Sequence, residues 1–169
     1  MGPRALPKTL NHTLMTHEEL MRRAIGLSLR NVAEGGGPFG AVVARGGEIV
    51  AEGVNRVTAQ CDPTAHAEVA AIRAAARKLG TFDLSGCDIY ASCEPCPMCL
   101  GAIYWARLDR LFYAATKDDA ARAGFDDAFI YRELALAPSQ RRLVTTRLLG
   151  DEALATFRAW EEKADRHPY

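Results

Sequence analysis

Two short stretches of the sequence, about thirty residues apart, combine residue types that bind metals and move protons: "HAE" at 66–68 and "PCPMC" at 95–99. His66, Cys96 and Cys99 offer one imidazole and two thiols, and three protein ligands on Zn²⁺ leave a fourth tetrahedral position open, as in catalytic zinc sites. Glu68 could then take a proton from a metal-activated water and pass it to a substrate nitrogen. The spacing predicts a catalytic zinc centre with Glu68 as its acid–base group.

A closed structural site is the alternative interpretation of the same residues. Cys93 comes shortly before Cys96, and a fourth protein ligand would make a Cys₃His zinc site without an open position. A C-x-x-C taken alone would also fit a redox pair. The remaining cysteines, Cys61 and Cys87, follow no pattern and are interpreted as packing or surface residues.

Helices are expected to position these residues. Thr16 and Glu19 have the spacing of a capping box at the start of a first helix with a broad apolar face, which stops at the glycines 35–37. A second helix is predicted over residues 63–79, with Asp62 as its N-cap and the zinc-binding histidine near its start. A third helix begins at the "PCPMC" motif. Unpaired N–H groups at helix N-termini favour thiolate over thiol.

Strands are predicted between the helices. The segment "FGAVVARGGEIVAEGVN" reads as a hairpin that turns at Gly46-Gly47, and "CDIYAS" and "RLFYAAT" flank the third helix as a parallel pair. "RRLVTTRLL" is interpreted as a fifth strand, and a last helix carries Leu154, Phe157 and Trp160 on one stripe that is expected to dock on the core. The fold class is therefore α/β: a three-layer α/β/α sandwich with a mixed, roughly five-stranded sheet.

The domain organisation expected from these elements is simple. Residues 1–15 are interpreted as an irregular N-terminal arm, and residues 16–169 as one zinc-dependent domain. The weakly patterned stretch after Thr116 is where a specificity loop would be inserted.

Composition limits the classes of partner. Twenty-one basic residues balance twenty-one acidic ones, and this neutral balance disfavours nucleic acid as a partner. No apolar run approaches the ~18 residues of a membrane span, and the start of the chain lacks the apolar block of a signal peptide. The sequence therefore predicts a cytoplasmic protein, and in such a reducing compartment three cysteines within seven residues indicate metal binding or catalysis before disulfides.

The motifs resemble those of the cytidine deaminase superfamily of zinc deaminases, whose H-x-E and P-C-x-x-C pattern is a known signature. Within that superfamily the chain is most similar to the bacterial guanine deaminases. The likeness covers nearly the whole chain, and the segments that carry it are "GGPFGAVV", "DPTAHAEV", "SCEPCPMCLGAIYWAR", "AGFDDAFIY" and the terminal tyrosine.

This resemblance implies hydrolytic conversion of guanine to xanthine and ammonia, with a zinc-activated water attacking C2 of the purine. His66, Cys96 and Cys99 are then the ligands of one Zn²⁺ per subunit, and Glu68 is the proton shuttle. Asp127 matches the family aspartate that holds the purine and helps to protonate the leaving amine.

The resemblance also implies further substrate contacts and an assembly. Asn55 matches a hydrogen-bonding contact to the purine, Phe39 and Ala67 match packing contacts, and Trp105 and Tyr169 match aromatic positions that close the pocket. The family forms homodimers, and the implied C-terminal segment exchanged between subunits spans about residues 140–169, so that Tyr169 arrives from the partner.

Other functions remain open at this point. Guanosine, cytosine, cytidine, a triazine or tRNA adenosine could be the substrate of the same zinc chemistry, although a tRNA deaminase usually has a basic surface. From a different class, a zinc-stabilised binding module without turnover would use the ligands but not Glu68.

Overall fold

The computed structural model describes residues 14–168, so most of the N-terminal arm and Tyr169 lie outside the described residues. Within that range the strands are β1 (Gly40–Arg45), β2 (Glu48–Val54), β3 (Asp88–Cys93) and β4 (Arg110–Ala115). The helices are α1 (His17–Ala33), α2 (Val57–Gln60), α3 (Ala67–Leu79), α4 (Pro97–Trp105), α5 (Lys117–Arg122), α6 (Ala128–Ala135) and α7 (Gly150–Glu162), with a 3₁₀ turn at Pro138–Gln140.

The four strands of the described chain form one mixed sheet in the order β2-β1-β3-β4. β1 pairs antiparallel with both β2 and β3, whereas β3 and β4 run parallel and are connected through α4. The predicted hairpin is confirmed, with Gly46 and Gly47 both at positive φ in the turn. The predicted parallel pair around the third helix is confirmed as well.

Helices cover both faces of the sheet, which confirms the three-layer α/β/α architecture. Alternate residues of β1 point to opposite faces. Ala41 and Val43 pack in the cluster that contains the buried alanines of α3 and Ile103 of α4. Val42 and Ala44 pack with Leu20 and Ala24 of α1. The central strand is therefore buried on both sides, as its uninterrupted apolar sequence requires.

Close approach of α3 to the sheet fixes the position of the helix start. A Cβ on Gly53 of β2 would lie 2.1 Å from the main-chain oxygen of Ala67 and 2.5 Å from the nitrogen of Ala71. Glycine is the residue that fits this contact. The first turn of α3 is thereby held against the strand that precedes Asn55.

The second helix begins later than the sequence predicts. α3 starts at Ala67 with His66 as its N-cap, not at residue 63. Asp62 caps a turn instead: its Oδ1 accepts hydrogen bonds from the Thr64 nitrogen at 2.8 Å and from the Thr64 hydroxyl at 2.7 Å. The predicted end of the helix, with Gly80 in the left-handed conformation, is confirmed.

The C-terminal part departs most from the prediction. The sheet has four strands where about five were predicted, because residues 141–149 run as irregular chain. The last helix forms as expected, but it does not dock on the core: Leu154, Phe157 and Trp160 are 47%, 64% and 40% exposed. Every residue from 151 to 168 is exposed.

The face of the first helix is narrower than predicted. The capping box of Thr16 and Glu19 is confirmed, and Leu20 and Ala24 are buried. Ile25 and Val32, however, are 37% and 51% exposed. No helix among residues 14–168 is long and apolar enough to cross a membrane.

Candidate active site

The N-termini of α3 and α4 meet above the sheet and bring the two sequence motifs together. His66 and Cys96 are the N-caps of these helices and have extended backbones, with φ and ψ of −75° and 155° and of −65° and 167°. Pro97 occupies the first turn of α4, where its missing N–H costs nothing. Neither side chain makes the hydrogen bond that usually caps the start of its own helix. Both are therefore available for another partner.

His66, Cys96 and Cys99 form the metal-ligand cluster of the described residues, with donor atoms within 4.8 Å of one another. His66 Nδ1 lies 3.5 Å from Cys96 Sγ and 3.4 Å from Cys99 Sγ. A tetrahedral zinc with Zn–N of about 2.0 Å and Zn–S of about 2.3 Å requires N···S separations of about 3.5 Å. The donor set therefore fits Zn²⁺ in both chemistry and spacing.

The electrostatics of the cluster favour a thiolate at Cys96. A hydrogen bond from the Cys99 thiol, followed by one from His66, lowers the pKa of Cys96 to about 4. The same hydrogen bond, together with burial, raises the pKa of Cys99. The contact with Cys96 raises the pKa of His66. A divalent cation would displace these protons, because metal ligands bind deprotonated.

Cys93 differs from the two sulfurs of the cluster. Burial raises the pKa of Cys93 to about 11, and its Sγ donates a hydrogen bond to the Thr116 oxygen at 3.5 Å. Its sulfur is not part of the cluster in which the donor atoms of His66, Cys96 and Cys99 lie within 4.8 Å of one another. The geometry therefore favours a three-residue ligand set over the closed Cys₃His alternative.

Glu68 lies in the first turn of α3, is 7% exposed and faces the cavity beside the cluster. Burial raises its pKa, and its carboxylate also hydrogen-bonds the Cys99 side chain. A buried carboxyl group with a raised pKa next to a metal-ligand cluster is typical of an acid–base group.

A cavity of about 510 Å³ opens above these residues. This volume lies in the range of about 300–1,000 Å³ found for small-molecule sites. Its wall is formed by the glycine turn after α1, the end of β2, the start of α3, the β3–α4 turn and the α5–α6 loop. The residues that line it include Gly36, Gly37, Phe39, Asn55, His66, Glu68, Cys93, Glu94, Cys96, Lys117, Phe125 and Asp127.

Three of the six predicted substrate contacts share this cavity. Phe39, Asn55 and Asp127 line it together with the metal cluster. Asp127 is half-buried just before α6. Burial, and then the negative charge on Cys96, raise the pKa of its carboxyl group.

The other predicted contacts lie elsewhere. Ala67 is 1% exposed and packs in the core under the site. Trp105 is 67% exposed and lines a neighbouring groove between α4 and α6, along with Met98 and Leu134. Tyr169 lies outside the described residues.

Several cavity residues were missed by the sequence reasoning. Phe125 packs edge-on against Phe39, with ring centroids 5.0 Å apart and an interplanar angle of 86°. Glu94 accepts a hydrogen bond from the Lys117 nitrogen at 3.0 Å, and both residues line the cavity. Phe125 lies in "GFDD" and Glu94 in "CEPC", so their closeness to predicted residues was the signal in the sequence that could have identified them.

Comparison with known proteins places this geometry in a family. The profile of the cytidine and deoxycytidylate deaminase zinc-binding region matches residues 14–115. A guanine deaminase from Bacillus subtilis is 51% identical over 156 residues, which are 92% of this chain and 100% of that protein. The X-ray structure of guanine deaminase from Bacillus subtilis superposes with a TM-score of 0.89 over 92% of this chain and 99% of the other.

Other relatives share the fold more partially. The crystal structure of NE0047 in complex with 2,6-diaminopurine has a TM-score of 0.66 at 39% identity and covers 69% of this chain and 65% of the other. A tRNA-specific adenosine deaminase from Aquifex aeolicus is 38% identical over 101 residues, 60% of this chain and 67% of that protein. The profile match and the full-length relative together show that this chain belongs to the family of zinc-binding cytidine and deoxycytidylate deaminases, in the group that contains the Bacillus subtilis guanine deaminase.

Proposed function

We propose that this protein is a zinc-dependent guanine deaminase that converts guanine and water to xanthine and ammonia. The observation that carries the proposal is the cluster of His66, Cys96 and Cys99, with buried Glu68 beside it, at the floor of a cavity of small-molecule size. The full-length likeness to a guanine deaminase supports the substrate, because the match to a tRNA-specific deaminase covers less of the chain.

In this reaction a C–O bond forms at C2 of the purine, the C2–N bond to the exocyclic amine breaks, and ammonia leaves. One zinc ion per subunit, held by the three ligands, would supply a Lewis acid that lowers the pKa of water from 15.7 to about 7. Glu68 takes the proton of that water and delivers it to the purine. Its burial excludes bulk solvent, which would otherwise compete for the proton.

The cavity walls hold the purine. Asn55, 9% exposed, presents its side chain to the cavity, where an amide can both donate and accept hydrogen bonds. Asp127 accepts from purine N–H groups and helps to protonate the leaving amine, with the proton that the new C2 hydroxyl gives up as it becomes a carbonyl. The edge-to-face pair of Phe39 and Phe125 covers the apolar ring faces.

The proposal includes a homodimer in which residues of about 140–169 cross to the partner. The exposed apolar side chains support it: Trp105 and Tyr104 on α4 are 67% and 77% exposed, and Phe157 on α7 is 64% exposed. Large apolar side chains that are exposed to this degree often belong to an interface. In this arrangement Trp105 and the partner's Tyr169 complete the pocket. A cytoplasmic location fits the reduced thiols that the ligand set needs.

A substrate panel tests the proposal. Ammonia release is measured with guanine, guanosine, adenine, cytosine and cytidine, with and without a chelator. We expect guanine to be the fastest substrate and the chelator to abolish turnover. Faster turnover of another base or nucleoside would mean that this compound, and not guanine, is the substrate. Stoichiometric zinc without any turnover would indicate a non-catalytic binding module.

A further inference from the structure

Asn31, in the last turn of α1, is a buried polar residue directly behind the wall of the cavity. The residue is only 1% exposed. Its amide nitrogen donates two hydrogen bonds, to the main-chain oxygen of Gly37 at 2.7 Å and to that of Asn55 at 2.8 Å. One amide therefore links the glycine segment after α1 to the end of β2.

Both linked segments belong to the cavity wall. Gly37 and Asn55 line the cavity, as does Phe39 between them. The Phe39 nitrogen donates to the Gly37 oxygen at 2.8 Å, and the Asn55 nitrogen donates to the Phe39 oxygen at 3.2 Å. Asn31 thus completes a main-chain network that holds two of the proposed purine contacts.

The glycine segment is shaped around Asn31. The Gly36 nitrogen donates to the Asn31 main-chain oxygen at 2.7 Å. A Cβ on Gly36 would lie 2.4 Å from the Asn31 amide nitrogen, so a larger residue would push the amide away. This contact gives a second way to displace Asn31 without removing it.

The side-chain amide of Asn31 also has one defined orientation. Two carbonyl oxygens fix which end carries the nitrogen, while Asn31 Oδ1 is buried with no hydrogen-bond partner among the described residues. Buried side-chain acceptors in proteins are normally satisfied. An amide that served stability alone would be expected to use both ends, whereas this one uses only the end that faces the cavity wall.

We propose that Asn31 is a positioning residue that sets the place of Asn55 and of the glycine segment against the purine. The inference rests on the proposed guanine deaminase function. Asn31 acts through Asn55, whose Oδ1 is held by the Val57 nitrogen at 3.3 Å and whose main-chain oxygen is held by Asn31. Losing the second contact lets the amide of Asn55 turn away from the ring.

The test compares Asn31→Ala with Ser28→Ala. Ser28 is a buried polar residue one turn earlier in α1, and its hydroxyl donates to the Ile25 oxygen of its own helix. We expect Asn31→Ala to raise KM for guanine about tenfold, the effect of weakening one hydrogen bond to the substrate, with kcat and zinc content nearly unchanged. Ser28→Ala should leave KM unchanged.

A double-mutant cycle with Asn55→Ala separates positioning from general support of the fold. If Asn31 acts through Asn55, Asn31→Ala should raise KM less than about twofold in the Asn55→Ala background. Additive effects, or an unchanged KM in Asn31→Ala, would overturn the inference. If Asn31→Ala does not fold, Gly36→Ala is measured in the same cycle and judged by the same criteria.

The wild-type protein in the same assay separates this inference from the function on which it rests. A wild type that does not deaminate guanine refutes the proposed function, and the positioning role falls with it. An active wild type with additive effects refutes the role of Asn31 alone.

Discussion

Replacing Glu68 by glutamine tests the acid–base role with the smallest structural change. The side chain is 7% exposed, and glutamine has nearly the same shape, so the packing around α3 should be kept. General acid–base catalysis typically contributes about 10²–10⁴-fold. We expect the upper part of this range, because Glu68 is buried in the cavity beside the metal cluster, where bulk water cannot easily take over its role.

The expected loss in kcat is therefore about 10³–10⁴-fold, which corresponds to about 4–5 kcal/mol in the barrier. The assay follows the ultraviolet change from guanine to xanthine at saturating guanine, with ammonia release as a second readout. Glu48→Gln is the matched control, since Glu48 is exposed at the start of β2, away from the cavity. It should retain wild-type kcat.

Measurements of folding and of metal content decide whether the loss of kcat arises in the chemical step. Burial raises the pKa of Glu68. Above that pKa the folded protein holds a buried carboxylate, which lowers the free energy of unfolding, and the neutral glutamine side chain removes this destabilisation. Tm of the metal-free variant should not fall, and zinc should remain stoichiometric. Wild-type turnover by a zinc-loaded Glu68→Gln protein would refute the reasoning.

Three further predictions follow from the site and its surface. Cys96→Ser should lose zinc whereas Cys93→Ser should keep it, because the Cys93 thiol is bonded to a main-chain oxygen; metal analysis after gel filtration checks this, and equal loss in both would favour a closed Cys₃His site. Phe125→Ala should raise KM for guanine about twofold to tenfold, since an edge-to-face pair contributes about 0.5–1.5 kcal/mol. An unchanged KM would show that the pair of Phe125 with Phe39 does not contribute to guanine binding. Deleting Tyr169 and the residues just before it should weaken guanine binding without releasing zinc, and sedimentation should give a dimer at micromolar concentration; a fully active truncated monomer would contradict the exchanged segment.

The metal cluster was predictable because its information is local. His66, Cys96 and Cys99 lie at helix starts that proline and short spacing mark in the sequence. β1 is antiparallel to both β2 and β3, so β2 and β3 run in the same direction, and the starts of α3 and α4, which follow them, lie at one edge of the sheet. The hairpin and the capping box of α1 were likewise encoded within a few residues.

The errors have physical causes that local patterns do not carry. Asp62 before Pro63 fits a helix N-cap and a turn equally well, and in the structure the side chains of Asp62 and Thr64 favour the turn. The apolar stripe of α7 indicates that it needs a partner surface but not which surface. Phe125 and Asn31 act through contacts with residues distant in sequence. Such contacts depend on the complete fold.

Zinc K-edge X-ray absorption of the freshly purified protein tests the central claim most directly. The account predicts one zinc per chain with two sulfur ligands at about 2.3 Å and two nitrogen or oxygen ligands at about 2.0 Å, one of the latter exchangeable. A protein without bound zinc, or a zinc with three sulfur ligands and no exchangeable position, would contradict it.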